Sequence, residues 1–349
     1  AINNTGIINV NSLTGTDGDI QLIATAANGV IANSGDLQAG GATLNADIVN
    51  LTGSNDLDNL NNLILEDVNQ VNSSVTSLAF SNLQVNGDTT WNANTDLAFD
   101  TNTDLQAFED STSSLSFDSN NNDLTLGSIE FFLANNEAAL AVSFQEVDTL
   151  TLQGSISTGG QDFDADTGVN SIVVTNPLTI ETSGGDIRLE DITADPADNV
   201  SMNIYSHSAD GLSGSDIHMQ SISGVSSLVV QADDAINLNG NLDLDGNLEF
   251  TAAQTVIQSD LTVAAEGLIE VSGTIEGNGA ANDLTLDTSG AIELSGIGAS
   301  QGLGAIAVIA ESTTSTPYID FGGNLNAETL DVSDAAQVQV NQDTTFTLT

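Results

Sequence analysis

A single base, Arg188, stands against 49 acidic residues, so the 349-residue chain has a formal charge of −48. A surface with that balance repels phosphate backbones and anionic headgroups, and neither nucleic acid nor membrane insertion is expected. Cysteine is absent, which removes any disulfide framework or thiolate metal site and suits a chain exported unbridged. No run reaches the ~18 to 20 apolar residues of a membrane span. The opening "AINNTGIINV" has neither an initiator Met nor the basic region of a signal peptide, and so reads as a mature product or a piece of something longer.

What is present is alternation. In "INLNGNLDLDGNLEF", Ile236 to Phe250, every even residue is apolar or Gly and every odd one is Asn, Asp or Glu. The same period of two recurs in "DIQL" at 19, "DLAF" at 96, "DLTL" at 123 and 283, "TLTL" at 149, "DIRL" at 186 and "DIHM" at 216. These are short strands with one face buried. With 40% hydrophobic residues the chain has the material for a large core, so the expected class is all-β and folded. One segment, "FFLANNEAALAVSF" at 131 to 144, fits a helical turn as well as it fits two strands around "NNEA".

A longer period lies over the short one. From 228 onward three columns of inward residues can be threaded: Leu228, Leu248, Ile269, Ile292; then Ile236, Val256, Ile275, Ile297, Ile319; then Leu242, Leu261, Leu284, Ile306, Leu325. Steps of ~19 to 23 residues with about three strands in each describe a parallel β-helix, or β-solenoid. At ~22 residues per coil the chain makes roughly 16 coils. The rival is a string of sandwich modules, for which "NG" and "DG" pairs are genuine hairpin signals. Nothing recurs at the ~100-residue spacing of such modules. One continuous solenoid over 1–349 is therefore expected, with degenerate coils in 1–170 and regular ones in 171–349. Its narrow core explains why large rings are few: 11 Phe, 2 Tyr and 1 Trp.

The segments "VSSLVVQADDAINLNGNLDLDGNLEF", "QTVIQSDLTVAAEGLIEVSG" and "ANDLTLDTSGAIELSGIGA" resemble the strand repeats of filamentous-haemagglutinin-type proteins, the giant β-helical exoproteins and adhesins of bacterial surfaces. The likeness covers 170 to 300 best and rests on repeat texture. It implies a right-handed parallel β-helix, secretion to the cell surface, and a part in adhesion or matrix. The chain departs from that family in its acidity and its lack of a recognisable secretion or anchoring domain.

Chemistry is hard to assemble from this inventory. A lyase on uronate polymers needs a base and cations to neutralise the substrate carboxylate, and one Arg with two His cannot supply the set. A pectin-cleaving hydrolase would pair "NTD" and "DD" with "GHG" and "RIK"; the first two occur here and the last two do not. Either enzyme would also want facing acids beside an aromatic platform, and Trp91 is the sole Trp. The expectation is no enzyme. His207 and His218 read as surface residues, the alternative being a base or metal site with Ser206 or Asp216. Arg188 is expected to pair with Asp186 or Glu190. An ice- or mineral-binding face would need a regular T-x-T array, which isolated matches such as those at 149 and 345 do not make.

Calcium is the inorganic partner that the acids suggest. "DFDADTG" places Asp162, Asp164 and Asp166 at alternate positions before a glycine, like the start of an EF-hand loop, although Val173 stands where the closing Glu belongs. Stacked like charges also need screening, which suits a saline or divalent-rich medium. Asn120 to Asn122, Asn237, Asn239 and Asn241 are candidates for amide ladders. Strand-like sequence runs to both ends, so a homo-polymer or the continuation of a longer β-helix is the expected partner. The expected function is a non-catalytic fibre or stalk.

Overall fold

The structure is a computed structural model that describes residues 2–4, 8–9, 19–24, 28–34, 37–52, 60–79, 81–100, 103–107, 112–129, 139–207, 214–309, 318–333, 337–340 and 344–348. The ambiguous segment at 131 lies partly outside them: 131–138 is not described, and Ala139–Leu152 is strand. The fold is an all-parallel β-solenoid of stacked coils, about 13 turns in all. Among the described residues the only helix is a 3-10 turn, Pro196–Asp198.

The count of about 13 corrects the expected 16 coils, because many coils are longer than the regular stretch suggests. Facing residues are Asp88 and Ser114, Thr112 and Ala139, and Ile187 and Ile217, separations well above the expected step. Elsewhere Val30 faces Ile48 and Ile217 faces Ile236. A solenoid fixes which residues stack but leaves each corner free to bulge, since surface loops lengthen at little cost.

Backbone packing divides the chain into two compact units, Ala1–Val173 and Val174–Thr349. In the first, one face is built by Gly41–Ala46, Asn62–Glu66, Asn82–Asn86 and Asp104–Ala107, each paired in parallel with the next. A second face runs through Val30–Asn33, Ile48–Leu51, Gln70–Ser73 and Asp88–Ala93 to the first half of Thr112–Leu126. The rings, though few, are concentrated here. Trp91, Phe99, Phe117, Phe144 and Phe163 form one chain of contacts with centroids 5.6, 5.9, 6.1 and 5.9 Å apart, all of them buried. Strand register sets this up by placing Trp91 opposite Phe117 and Phe117 opposite Phe144.

In the second unit the even residues of the 236–250 stretch do turn inward, with Leu242, Leu244, Leu248 and Phe250 buried and Asp243 and Glu249 exposed. The first threaded column holds and extends: Leu228, Leu248, Ile269, Ile292, then Ile319 and Val338. The second column is corrected at two places. Thr255, not Val256, stands between Ile236 and Ile275, and Leu325 follows Ile297. In the third, Val263 rather than Leu261 faces Leu242, and Leu330 faces Ile306. The cause of the Thr255 exchange is a register irregularity between Thr251 and Gln254, where the extra residue reverses the parity of the residues after it. Gly273 sits across from this bulge at φ 101°, and a Cβ there would lie 2.0 Å from the Ala252 carbonyl oxygen.

The exchange leaves a hydroxyl in an apolar column. Thr255 is buried and its Oγ1 has no hydrogen-bond partner. A buried unsatisfied polar group costs ~1 to 3 kcal/mol. Thr255→Val is accordingly expected to raise stability by ~1 kcal/mol, read as a higher urea midpoint at constant slope. A lowered midpoint would mean that the hydroxyl is satisfied in solution.

Candidate functional site

Outward residues of successive coils stand ~4.8 Å apart, so the register decides which surface groups meet. Amides meet first. Asn72 Nδ2 donates to Asn50 Oδ1 at 2.8 Å and Asn92 Nδ2 to Asn72 Oδ1 at 2.9 Å. Asn82 donates to Asn62 at 2.7 Å and Gln106 to Asn82 at 3.1 Å. In the second unit Gln258 donates to Asn237 at 2.9 Å, Asn278 to Gln258 at 3.3 Å, and Asn239 to Gln220 at 2.7 Å. Asn237 and Asn239 thus join ladders as expected. Asn241 instead accepts the Thr262 N–H at 2.8 Å. Asn120 and Asn121 turn a corner with φ of 48° and 60°, a conformation that Asn tolerates better than most residues.

Acids meet next. Glu249, Glu270, Glu293 and Asp320 face one another down four successive coils. The signal was present in sequence as "LEF", "IEV", "IEL" and "IDF", an acid after Leu248, Ile269, Ile292 and Ile319 of the first inward column. Beside this column lies a shallow groove of about 150 Å³ lined by Glu270, Ser272, Glu293, Ser295 and Asp320. Tyr318 donates its hydroxyl to Glu293 Oε1. That bond, then burial and the charges of Glu293, Asp320 and Glu270, raises the Tyr318 hydroxyl above its ordinary value.

Of the aspartates of "DFDADTG", Asp164 lies on the strand Phe163–Ala165, Asp162 just before it and Asp166 just after it. Phe163 and Ala165 point inward and Asp162, Asp164 and Asp166 outward. Asp164 Oδ1 accepts the N–H groups of Asp166 at 3.2 Å and Thr167 at 3.0 Å, so this carboxylate is engaged in ordering its own turn. Among the described residues no group of three or more His, Cys, Asp or Glu is placed to hold a metal ion.

Arg188 pairs with Asp186, Nη2 to Oδ2 at 2.7 Å. His207 is brought to Asp233, Nδ1 to Oδ1 at 2.7 Å, with its ring half exposed. It does not meet the hydroxyl of Ser206, which is fully buried because adjacent strand residues face opposite ways. His218 stands in register between Arg188 and Asn237, on the same strand face as Asp216. Trp91 is fully buried and offers no platform to a sugar. Comparison with protein-family models, with curated proteins and with solved structures finds no match.

Proposed function

We propose that the chain is a non-catalytic structural or adhesive element, a β-helical stalk or fibre segment of a bacterial cell surface or matrix, working in a saline or divalent-rich medium. The observation that carries this reading is the repetition of one surface chemistry down successive coils, in the Asn50, Asn72, Asn92 ladder and in the Glu249, Glu270, Glu293, Asp320 column. Catalysis gathers unlike groups at one point. A column repeats like groups at a fixed interval, which suits multivalent contact with a matrix and cation-bridged association of neighbouring fibres. The resemblance over 170 to 300 supports the bacterial surface.

The partner that this reading calls for is more of the same architecture. Val338, Val340 and Phe346 are exposed at positions continuing the inward columns of Ile319, Phe321 and Leu325. Further coils, of another copy or of a longer β-helix, suit that surface. The test combines negative-stain imaging with incubation against uronate polymers and neutral polysaccharides. Thin filaments that bundle with divalent cations, without new reducing ends or unsaturated products, are expected. Cleavage of any of these polymers, abolished by Asp216→Asn, would replace this reading with a carbohydrate-active enzyme.

A further inference from the structure

Asparagine is followed by glycine four times in the chain, at 28, 86, 239 and 278. Such a pair carries its own reaction, because glycine has no side chain to keep its backbone nitrogen away from the asparagine amide. The fold decides which pair is free to react.

Three of them are held. Asn278 donates Nδ2 to the Gln258 carbonyl at 2.9 Å and to Gln258 Oε1 at 3.3 Å, while its Oδ1 accepts the Ala280 N–H at 3.0 Å and Asn282 Nδ2 at 3.2 Å. Asn239 Nδ2 donates to Gln220 Oε1 at 2.7 Å, and Ser221 crowds Gly240 so closely that a Cβ there would lie 2.5 Å from its N and Oγ. At Asn86, in the strand Asn82–Asn86, the attacking nitrogen is itself engaged. Gly87 donates its N–H to Ser113 Oγ at 3.1 Å.

Asn28 differs on each count. It is exposed, in a turn ahead of the strand Val30–Asn33, with φ 61°. Among the described residues its side-chain amide has no hydrogen-bond partner, and neither has the Gly29 N–H. Its own N–H donates to Asp47 Oδ2 on the next coil.

We propose that Asn28 is a site of spontaneous covalent modification, at which the Gly29 nitrogen displaces the Asn28 amide and the resulting ring hydrolyses to aspartate or isoaspartate.

The Gly29 nitrogen gives its proton to solvent hydroxide and bonds to Asn28 Cγ. The Cγ–Nδ2 bond breaks, and ammonia leaves with a proton supplied by water. Water then opens the five-membered imide: attack at the side-chain carbonyl gives aspartate, and attack at the backbone carbonyl gives isoaspartate. One water enters, one ammonia leaves, and nothing is oxidised or reduced. Either product adds a negative charge to the residue whose N–H Asp47 holds. Asp47 also accepts Asn69 Nδ2 at 3.4 Å, and the adjoining Ile48 N–H donates to the Gly29 carbonyl at 3.1 Å. Repulsion between the new carboxylate and Asp47 therefore acts where these two coils join. Isoaspartate also lengthens the backbone of that turn by one carbon.

The test needs no variant at first. The protein is held at mildly alkaline pH, folded or unfolded in urea, then digested with pepsin and read by mass spectrometry, each conversion adding about 1 Da. Electron-transfer fragmentation separates isoaspartate from aspartate. In urea the four pairs should convert at similar rates. In the folded protein Asn28 should convert ~10-fold faster than Asn86, Asn239 or Asn278, each of which must first break its local contacts. Asn28→Asp adds the charge without lengthening the chain, and should raise the opening constant of the Ile48 amide in hydrogen exchange ~3-fold at low salt and hardly at all at ~1 M NaCl. A folded protein in which Asn28 converts no faster than the other three, or in which no pair converts while all four do in urea, would overturn the proposal. An Ile48 amide that opens no more in Asn28→Asp than in the parent would overturn the loosening of the two coils.

Discussion

Phe117→Ala is expected to cost ~3 to 5 kcal/mol, the range for emptying a buried ring site that cannot collapse. Phe117 is 1% exposed and is the middle ring of the aromatic chain, edge-on to Phe99 at 5.9 Å and stacked on Phe144 at 6.1 Å. Its removal loses the transfer energy of the ring and two aromatic contacts worth ~0.5 to 1.5 kcal/mol each. Collapse is opposed because strands on either side are pinned by the parallel ladder that joins Trp91, Phe117 and Phe144. Phe117→Leu should cost about 1 to 2 kcal/mol, since most of the volume is kept. Urea unfolding followed by near-ultraviolet dichroism, which reports these rings, is the measurement. A cost below ~1 kcal/mol for the alanine variant would show that the ring is not packed between its neighbours.

Stability is expected to rise steeply with salt. Glu249, Glu270, Glu293 and Asp320 face one another strand to strand, and two like charges ~5 Å apart repel by roughly 1 to 3 kcal/mol at effective dielectrics between that of water and ~20. The Debye length falls from ~10 Å at 0.1 M to ~3 Å at 1 M, so most of that repulsion is screened across the range. A rise in Tm of roughly 5 to 10 °C is expected between those concentrations, on the usual conversion of a few kcal/mol for domains of this size. Glu270→Gln isolates the column, because it removes the charge and allows an amide contact of the kind made by Asn72. It should stabilise by ~1 kcal/mol or more at low salt and by almost nothing at 1 M. A melting temperature indifferent to salt, or a Glu270→Gln gain that survives 1 M NaCl, would refute the screening argument. Ca²⁺ and Mg²⁺ at equal ionic strength separate screening from a calcium site at Asp162, Asp164 and Asp166: screening alone makes them equivalent, whereas a Ca²⁺ excess lost in Asp164→Asn would assign the site.

Most of the architecture was legible in sequence. Period-two alternation marks which side chains turn inward, and the column from Leu228 to Ile292 could be threaded residue by residue. Asn237 was readable as an amide-ladder candidate, but its partner Gln258 was not, since the residue in register with Asn237 is Val256. The departures from that threading have more than one cause. Spacing points to Leu261 where Val263 stands, because apolar residues are dense enough there that neighbouring registers look alike, and to Val256 where the bulge puts Thr255. A bulge that reverses parity has no letter of its own.

The residues alone determine that this chain folds as parallel coils, with a surface of acids and amides and almost no cation. Those properties come from local periodicity and composition, which survive small errors of register. Which residues touch is a different matter. That Asp186 grips the backbone of Asp216's coil, that His207 finds Asp233 and not Ser206, and that five rings form one spine all depend on the lengths of individual coils. Only the tertiary structure decides those lengths, because corner loops absorb extra residues at little free-energy cost while a single added residue moves every side chain after it to the other face.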